Sequence, residues 1–91
     1  MKRILVKDVV GSRVDPEDGI LLKESVKESL NEKVVLDFAG IGKVPVSFFA
    51  NMLTEYLMNR KDRSLIEKNI SVKNLDNAKD FTRVLMGTSL N

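Results

Sequence analysis

The side chains best suited to chemistry are one serine and a few aspartates that flank the predicted strands and helices. Ser47 follows a short loop and precedes a helix with periodic apolar residues, and Asp37 ends an apolar strand. Asp8 and Asp80 could meet Asp37 in space, but no spacing in the sequence predicts that they do. Catalysis by the Ser47 hydroxyl would require a neighbouring base, and no base stands at a suitable spacing.

Composition excludes further catalytic chemistry. The chain contains no histidine and no cysteine. Imidazole acid–base catalysis, thiolate nucleophiles, disulfides and the usual zinc or copper ligand sets are therefore ruled out. We expect a protein that is not an enzyme and that holds no cofactor and no metal.

Length and hydropathy indicate a single domain over residues 1–91, with a loose tail at residues 87–91. A chain of 91 residues buries only about 60 to 65% of its unfolded surface, enough for one core. Its residues are 43% hydrophobic and 31% charged, as in folded globular domains. No apolar run reaches the roughly 20 residues of a membrane span, and residues 4–6 are too short a run for an export signal. We expect a cytoplasmic protein.

The first half of the chain predicts a strand, a helix and a second strand. Apolar residues at 4–6 and 9–10 indicate an N-terminal strand. Asp15 is placed to cap a helix that begins with Pro16 and continues to about residue 31. Gly19 lies on the apolar stripe of this helix and would allow it to approach the sheet closely. The apolar run 33–38 is typical of a central parallel strand that is covered on both faces.

The second half adds a helix at about residues 47–60, an edge strand at 69–74 and a last helix. Asp76 or Asn77 is expected to cap this last helix, and Gly87 to end it. The order β-α-β-α-β-α predicts an α/β fold. We expect a small, mostly parallel sheet of three to four strands, with about three helices and right-handed crossovers. The basic cluster at residues 60–63 is expected to end the 47–60 helix, where cations complement the helix dipole.

Two interpretations of Ser47 remain open. A serine before a helix accepts a hydrogen bond from a backbone N–H group and stabilises the helix by about 1 kcal/mol. A phosphate on the same oxygen would meet N–H donors and the positive end of the helix dipole. Its charge would also change any surface that docks there. Local physics favours the helix cap.

The segment DFAGI at residues 37–41, followed by a loop and by SF at residues 47–48, resembles the central part of the STAS-like domains. This bacterial family has no assigned function and is related to the STAS anti-sigma-factor antagonists. Similar features are GSR at residues 11–13 and the segment 69–75, which precedes a capped helix. The resemblance covers roughly residues 12–85 and implies a STAS-like fold.

The resemblance also implies a function. In the anti-sigma-factor antagonists, a partner kinase phosphorylates the serine that opens the helix after the central strand, and phosphorylation releases the complex. Ser47 matches that serine. The resemblance therefore implies a non-catalytic regulatory module that binds a kinase-like or regulatory protein, with phosphorylation at Ser47.

The sequence around Ser47 departs from that of the anti-sigma-factor antagonists. Those proteins have an acidic residue and a further serine before this position and glycine-rich positions after it, whereas this chain has Pro45, Val46, Phe48 and Phe49. The partner-binding role carries over better than phosphorylation does.

The predicted contact surface comprises the loop at residues 40–46 and the outer face of the 47–60 helix. Phe48 and Met58 lie outside the apolar stripe or at its border, and we expect them to be partly exposed apolar anchors. The alternative for Phe48 is packing into the core. The full set of predicted partner-binding residues is Val46, Ser47, Phe48, Asn51, Glu55 and Met58. Asp37 and Arg13 are secondary candidates. Asp37 ends the central strand, where ligands of open α/β sheets bind, although bonding to nearby loop N–H groups is its commoner role. Arg13 could pair with Asp37 or approach Ser47, although an exposed arginine is more often solvated.

Two other functions are kept as alternatives. One is a small oligomeric subunit without a switch, such as a homodimer that pairs through the edge strand at residues 70–72. The other is nucleic-acid binding through Arg60, Lys61, Arg63, Lys68 and Lys73. The net charge of +2 is small for a nucleic-acid binder. We therefore expect a protein partner and neither nucleic acid nor a membrane.

Overall fold

A three-stranded parallel sheet organises the fold. The computed structural model describes residues 1–87. The strands are β1 (Lys2–Leu5), β2 (Val34–Asp37) and β3 (Ile70–Lys73), in the order β1-β2-β3. In the register of the sheet, Asp37 at the end of β2 lies between Leu5 and Lys73. The predicted α/β class, the parallel pairing and the edge position of the third strand are confirmed. Apart from Gly87, the tail expected at residues 87–91 lies outside the described residues.

Helices follow each strand. They are α1 (Val6–Val10), a 3₁₀ helix (Pro16–Leu22) that continues into α2 (Lys23–Glu28), α3 (Val46–Leu57), α4 (Arg60–Asn69) and α5 (Ala78–Leu85). The described part of the chain thus has five α-helices, where the sequence predicted about three. The single helix predicted for residues 15–31 is instead a 3₁₀ helix followed by a short α-helix.

The N-terminal strand is shorter than predicted because its last residues form α1. Val6 is fully buried and Val10 is half-buried, whereas Val9 is 42% exposed. Residues four apart share one face of a helix. Val6 and Val10 therefore face the core from one side of a helix, as they also would from one side of a strand.

The sequence prediction missed α4. Asn59 begins this helix, because its side-chain Oδ1 accepts hydrogen bonds from the backbone N–H groups of Lys61 (2.9 Å) and Asp62 (3.2 Å). Ile66 anchors the helix in the core. The basic cluster at residues 60–63 consequently starts α4 and does not end α3. The proposed complementarity between these cations and a helix C-terminus is wrong.

Four phenylalanines form the centre of the core. Phe38 directly follows β2, Phe48 and Phe49 lie in the first turn of α3, and Phe81 lies in α5. Their rings meet edge to face, with centroids 5.6 to 6.4 Å apart. Such pairs contribute about 0.5–1.5 kcal/mol each beyond area burial. The cluster fixes the start of α3 and the middle of α5 against the end of β2.

The 3₁₀ helix packs against α3. A Cβ atom on Gly19 would lie 2.2 Å from the backbone oxygen of Phe48 and 3.2 Å from Cβ of Asn51. Only glycine therefore allows this approach. The prediction that Gly19 permits close packing was made for the sheet, but the neighbour is the first half of α3.

Helices cover only one face of the sheet. With the order β1-β2-β3 and right-handed crossovers, both connections lie on the same side, and α5 packs on α3 on that side. Along β2, Val34 and Leu36 are buried in the core, whereas Val35 is half-buried and outside the core cluster. The prediction that the central strand is covered on both faces is wrong. We name the second side the open face, and by strand alternation it carries Arg3, Leu5, Val35, Asp37, Ser71 and Lys73.

Replacing Gly19 with alanine is expected to destabilise the protein by about 1–3 kcal/mol, because the added Cβ overlaps a backbone oxygen. Urea unfolding followed by circular dichroism measures the change. The control is Ser64→Ala on the exposed side of α4, which should change stability by less than about 0.5 kcal/mol. An unchanged midpoint for Gly19→Ala would contradict the close contact.

Candidate functional site

The loop at residues 38–45 carries the chain from the carboxyl end of the sheet to α3. In open α/β sheets this is the edge where ligands bind. Phe38 and Val44 anchor the two ends of the loop in the core, and both are fully buried. Between them the chain turns at Gly40 and Gly42, whose φ values of 80° and 83° favour glycine. The exposed part of the loop is therefore short and is held at both ends.

Asp37 holds the start of this loop. Its side chain is fully buried. Oδ1 accepts hydrogen bonds from the Ala39 backbone N–H (2.9 Å) and from Nδ2 of Asn74 (2.9 Å), and Oδ2 accepts from Nε (3.1 Å) and Nη2 of Arg3. The Asn74 bond, followed by the Arg3 and Ala39 bonds, lowers the pKa of Asp37 from its ordinary 3.8 to about 2. The carboxylate joins β1, β2 and the residue that follows β3.

Arg3 takes the place that was predicted for Arg13. β1 lies directly beside β2, and Arg3 pairs in register with Val35, two residues before Asp37. This diagonal position brings the guanidinium onto the carboxylate. Arg13 is exposed between α1 and the 3₁₀ helix, and among the described residues no hydrogen bond or ion pair is found for it. The predicted Arg13–Asp37 pair is wrong.

Asn77 holds the end of the loop. Its Oδ1 accepts from the Val44 backbone N–H (3.0 Å), while its Nδ2 donates to the Val44 carbonyl oxygen (2.6 Å) and to Oδ2 of Asp80 (3.1 Å). One side-chain amide thus satisfies both backbone groups of a buried residue. Asn77 occupies the N-cap position of α5, as predicted, but its side chain does not cap that helix. We call the Asn77–Val44 pair the amide clamp.

Ser47 is exposed in the first turn of α3. Val46 is the first residue of the helix and is 43% exposed. Pro45 occupies the N-cap position, no side chain caps the helix, and its first turn contains no acidic residue. The prediction that Ser47 is the cap is wrong, because the fixed φ of Pro45 leads the chain into the helix and places the N-cap two residues earlier. The hydroxyl lies on the surface beside the backbone N–H groups of an uncapped helix start.

Phe48 is a core residue and not a surface anchor. It is 0% exposed, and its ring contacts those of Phe38 and Phe49. The 3₁₀ helix covers α3 on one side and α5 covers it on another. A wider arc of α3 is therefore buried than the apolar stripe alone predicts.

The other predicted contact residues of α3 are exposed but separated. Asn51 donates from Nδ2 to a carbonyl oxygen of the 3₁₀ helix (2.8 Å), and Glu55 forms an ion pair with a lysine of α2 (2.9 Å). Met58 follows the end of α3 and is 83% exposed. It lies about 16 Å from Ser47 along the helix axis. Only a partner that spans the whole helix would reach both ends.

The described residues form no pocket. They also contain no group of three or more acidic side chains that could hold a metal ion. Within residues 1–87, every helix is too short or too polar to cross a membrane. The loop and the first turn of α3 offer an exposed hydroxyl and an exposed valine on a rigid support.

Comparison with known families identifies the chain. The family model described as a STAS-like domain of unknown function (DUF4325) matches residues 18–80. The chain belongs to this STAS-like family. No curated protein and no solved structure matches it. The resemblance drawn from residues 37–48 is confirmed.

The matched part of this STAS-like domain includes the loop and all its anchors except Arg3. Sequence reasoning missed Asn74 and gave Asn77 only the role of a helix cap. Asn74 has a φ of 58°, a conformation in which asparagine is enriched, and its position directly after a strand was the available signal. The role of Arg3 follows from strand register, which one sequence does not fix.

Asp37→Asn is expected to destabilise the STAS-like domain most at neutral pH. The folded-state pKa is lowered to about 2, so the stabilisation is complete above the unfolded-state value near 4 and is lost as pH falls towards 2. The stability gap between wild type and variant should therefore narrow between about pH 5 and pH 2. Urea unfolding across this range measures it, with Asp8→Asn, an exposed site, as control. A gap that does not change with pH would contradict this role of Asp37.

Asn77→Ala is expected to loosen the loop while the sheet stays intact. Both backbone groups of buried Val44 lose their partner, which costs about 1–3 kcal/mol. The hydrogen-exchange rate of the Val44 amide should increase by more than the loss of global stability alone would cause. Asn51→Ala, which removes one exposed side-chain-to-backbone bond, is the matched control. Unchanged protection of Val44 would show that the clamp does not hold the loop.

Proposed function

We propose that this STAS-like domain is a non-catalytic regulatory module that binds another protein through residues 40–46 and the first turn of α3. The proposed partner is a kinase-like or regulatory protein in the cytoplasm, and Ser47 is the group that switches the contact. The observation that carries the proposal is the position of Ser47, which is exposed in the first turn of an uncapped helix. A second protein has direct access to this hydroxyl.

The electrostatics of the helix start support phosphorylation at Ser47. The first turn of α3 carries no acidic side chain, and Pro45 provides no side-chain acceptor. Negative charge at a helix start is favourable by about 0.3–1 kcal/mol. A phosphate on Ser47 would therefore fit the folded state. Because it would not destabilise the domain, any loss of partner binding would come from the changed docking surface.

Rigidity of the loop supports the binding role. Asp37 and the amide clamp fix its two ends, so a partner would lose little free energy in ordering it. Val46 supplies an apolar contact directly beside Ser47, and Lys43 and Gly40 are also exposed. Asn51, Glu55 and Met58 extend the proposed surface only for a partner that covers the whole of α3.

The alternative functions receive less support. Arg63 of the basic cluster is already engaged, because it pairs with Glu67 and donates to the carbonyl oxygen of Met86. This leaves a smaller cationic surface for nucleic acid. Pairing of edge strands in a homodimer remains compatible with the fold, since β1 and β3 each have one unpaired side within the described residues.

Ser47→Asp is expected to weaken partner binding and to leave the fold intact. The aspartate should stabilise α3 by about 0.3–1 kcal/mol, so unfolding would not explain a loss of binding. Ser47→Ala should bind like the wild type. Each form is immobilised, and the proteins that it retains from an extract of the source organism are compared. The intact mass of the protein isolated from that organism shows whether it carries a phosphate.

Ser64→Asp is the matched control, because Ser64 is an exposed serine on another helix. A protein retained by the wild type, Ser47→Ala and Ser64→Asp but not by Ser47→Asp would be the switched partner. Equal retention by all four forms would contradict a switch at Ser47.

A further inference from the structure

The open face of the sheet lies on the side opposite the helices, whereas Ser47 belongs to α3 on the covered side. Parallel sheets are normally covered on both faces. Here the side chains that alternate away from the helices include Leu5, which is 36% exposed, and Val35, which is half-buried and outside the core cluster. Ser71 and Lys73 on β3 are exposed. The face thus has Val35 on its central strand and Leu5 on the edge strand β1, with the polar residues Ser71 and Lys73 on the other edge.

The charge of the open face is positive. Its only carboxylate is Asp37, which is fully buried beneath Arg3 and already bonded on both oxygens. The Arg3 side chain is 62% exposed, and Lys73 is exposed. Arg3 is bonded to Asp37 but keeps most of its side chain in solvent, so an acidic group can approach both cations.

The size of the open face limits what can occupy it. Three strands of four residues span about 14 Å by 13 Å, or roughly 200 Å². A stable protein interface buries about 800 Å² on each partner. The open face is too small for a stable dimer built on it alone, and a second copy would place like charges against each other. It has the size of one short segment of chain.

We infer that the open face binds a short acidic segment of a partner protein. Apolar side chains of the segment contact Leu5 and Val35, and flanking carboxylates pair with Arg3 and Lys73. The Cα atoms of Arg3 and Lys73 are about 12 Å apart from strand spacing and register. Two carboxylates separated by two apolar residues in an extended segment span about 10 Å. The surface lies apart from Ser47 and does not depend on the switch proposed there.

Nucleic acid fits this face less well. Affinity for nucleic acid comes from several phosphate contacts, whereas the open face offers only two cations, on its two edge strands, beside the apolar side chains of Leu5 and Val35. An acidic peptide with apolar residues satisfies both kinds of group.

The test uses the complete chain, labelled with ¹⁵N, and a blocked peptide of sequence Glu-Glu-Leu-Leu-Glu-Glu. Chemical-shift changes are expected at the amides of the open face and not at the loop near Ser47. Lys73→Glu should weaken binding by about three- to tenfold, since one favourable charge pair becomes a repulsive one. Leu5→Ser should weaken it through the lost apolar contact. Arg3 is left unchanged because its removal would strip buried Asp37 of a partner.

Lys61→Glu is the control, because Lys61 is an exposed lysine on α4 and its charge reversal should leave binding unchanged. A peptide with lysine in place of glutamate should cause no shifts at the open face. The inference is overturned if the acidic peptide causes no shifts there or if the lysine peptide causes equal ones. It is also overturned if an oligonucleotide binds these amides more tightly, or if light scattering and dilution show that a second copy covers them.

Discussion

The buried carboxylate of Asp37 is the interaction on which the rest of the structure depends. An ionised group removed from water destabilises a fold unless charge and hydrogen bonds compensate it. Here a guanidinium from β1, a backbone N–H after β2 and a side-chain amide after β3 provide that compensation. Because each donor comes from a different segment, the bonds to Asp37 link all three segments at the carboxyl end of β2. The requirement to satisfy one charge thereby fixes the edge of the sheet from which the loop at residues 38–45 departs.

The path of the chain beyond this edge is fixed by side-chain amides as well as by packing. Asn74 adopts a left-handed backbone conformation that turns the chain after β3, and three residues later Asn77 pairs with Val44. The segment between β3 and α5 therefore supports the loop between β2 and α3 at two points. The phenylalanine cluster holds the other side of the same loop. Ser47 is presented by a rigid support although it belongs to an exposed turn.

The sequence predicted the features that depend on local pattern. The apolar run at residues 33–38 led to the central parallel strand, and the break at Pro45 led to an exposed helix start, though Ser47 itself proved not to be the cap. Features that depend on tertiary contacts were missed or wrong. Phe48 is buried because α3 is covered on two sides, which the periodicity of one helix does not reveal. Asn59 and Asn77 illustrate the ambiguity of asparagine, since the first caps a helix and the second, at an equivalent position, bonds to a distant loop.

The one-sided arrangement of helices leaves part of the open face with little role in folding, although Asp37 and Arg3 on the same face do stabilise the fold. The core draws its side chains from the covered face, so Ser71 and Lys73 contribute little to the burial that drives folding. Substitutions at such exposed positions usually change stability by less than about 0.5 kcal/mol. The chemical character of that side of the molecule can consequently diverge between descendants of one ancestral chain while the scaffold is retained.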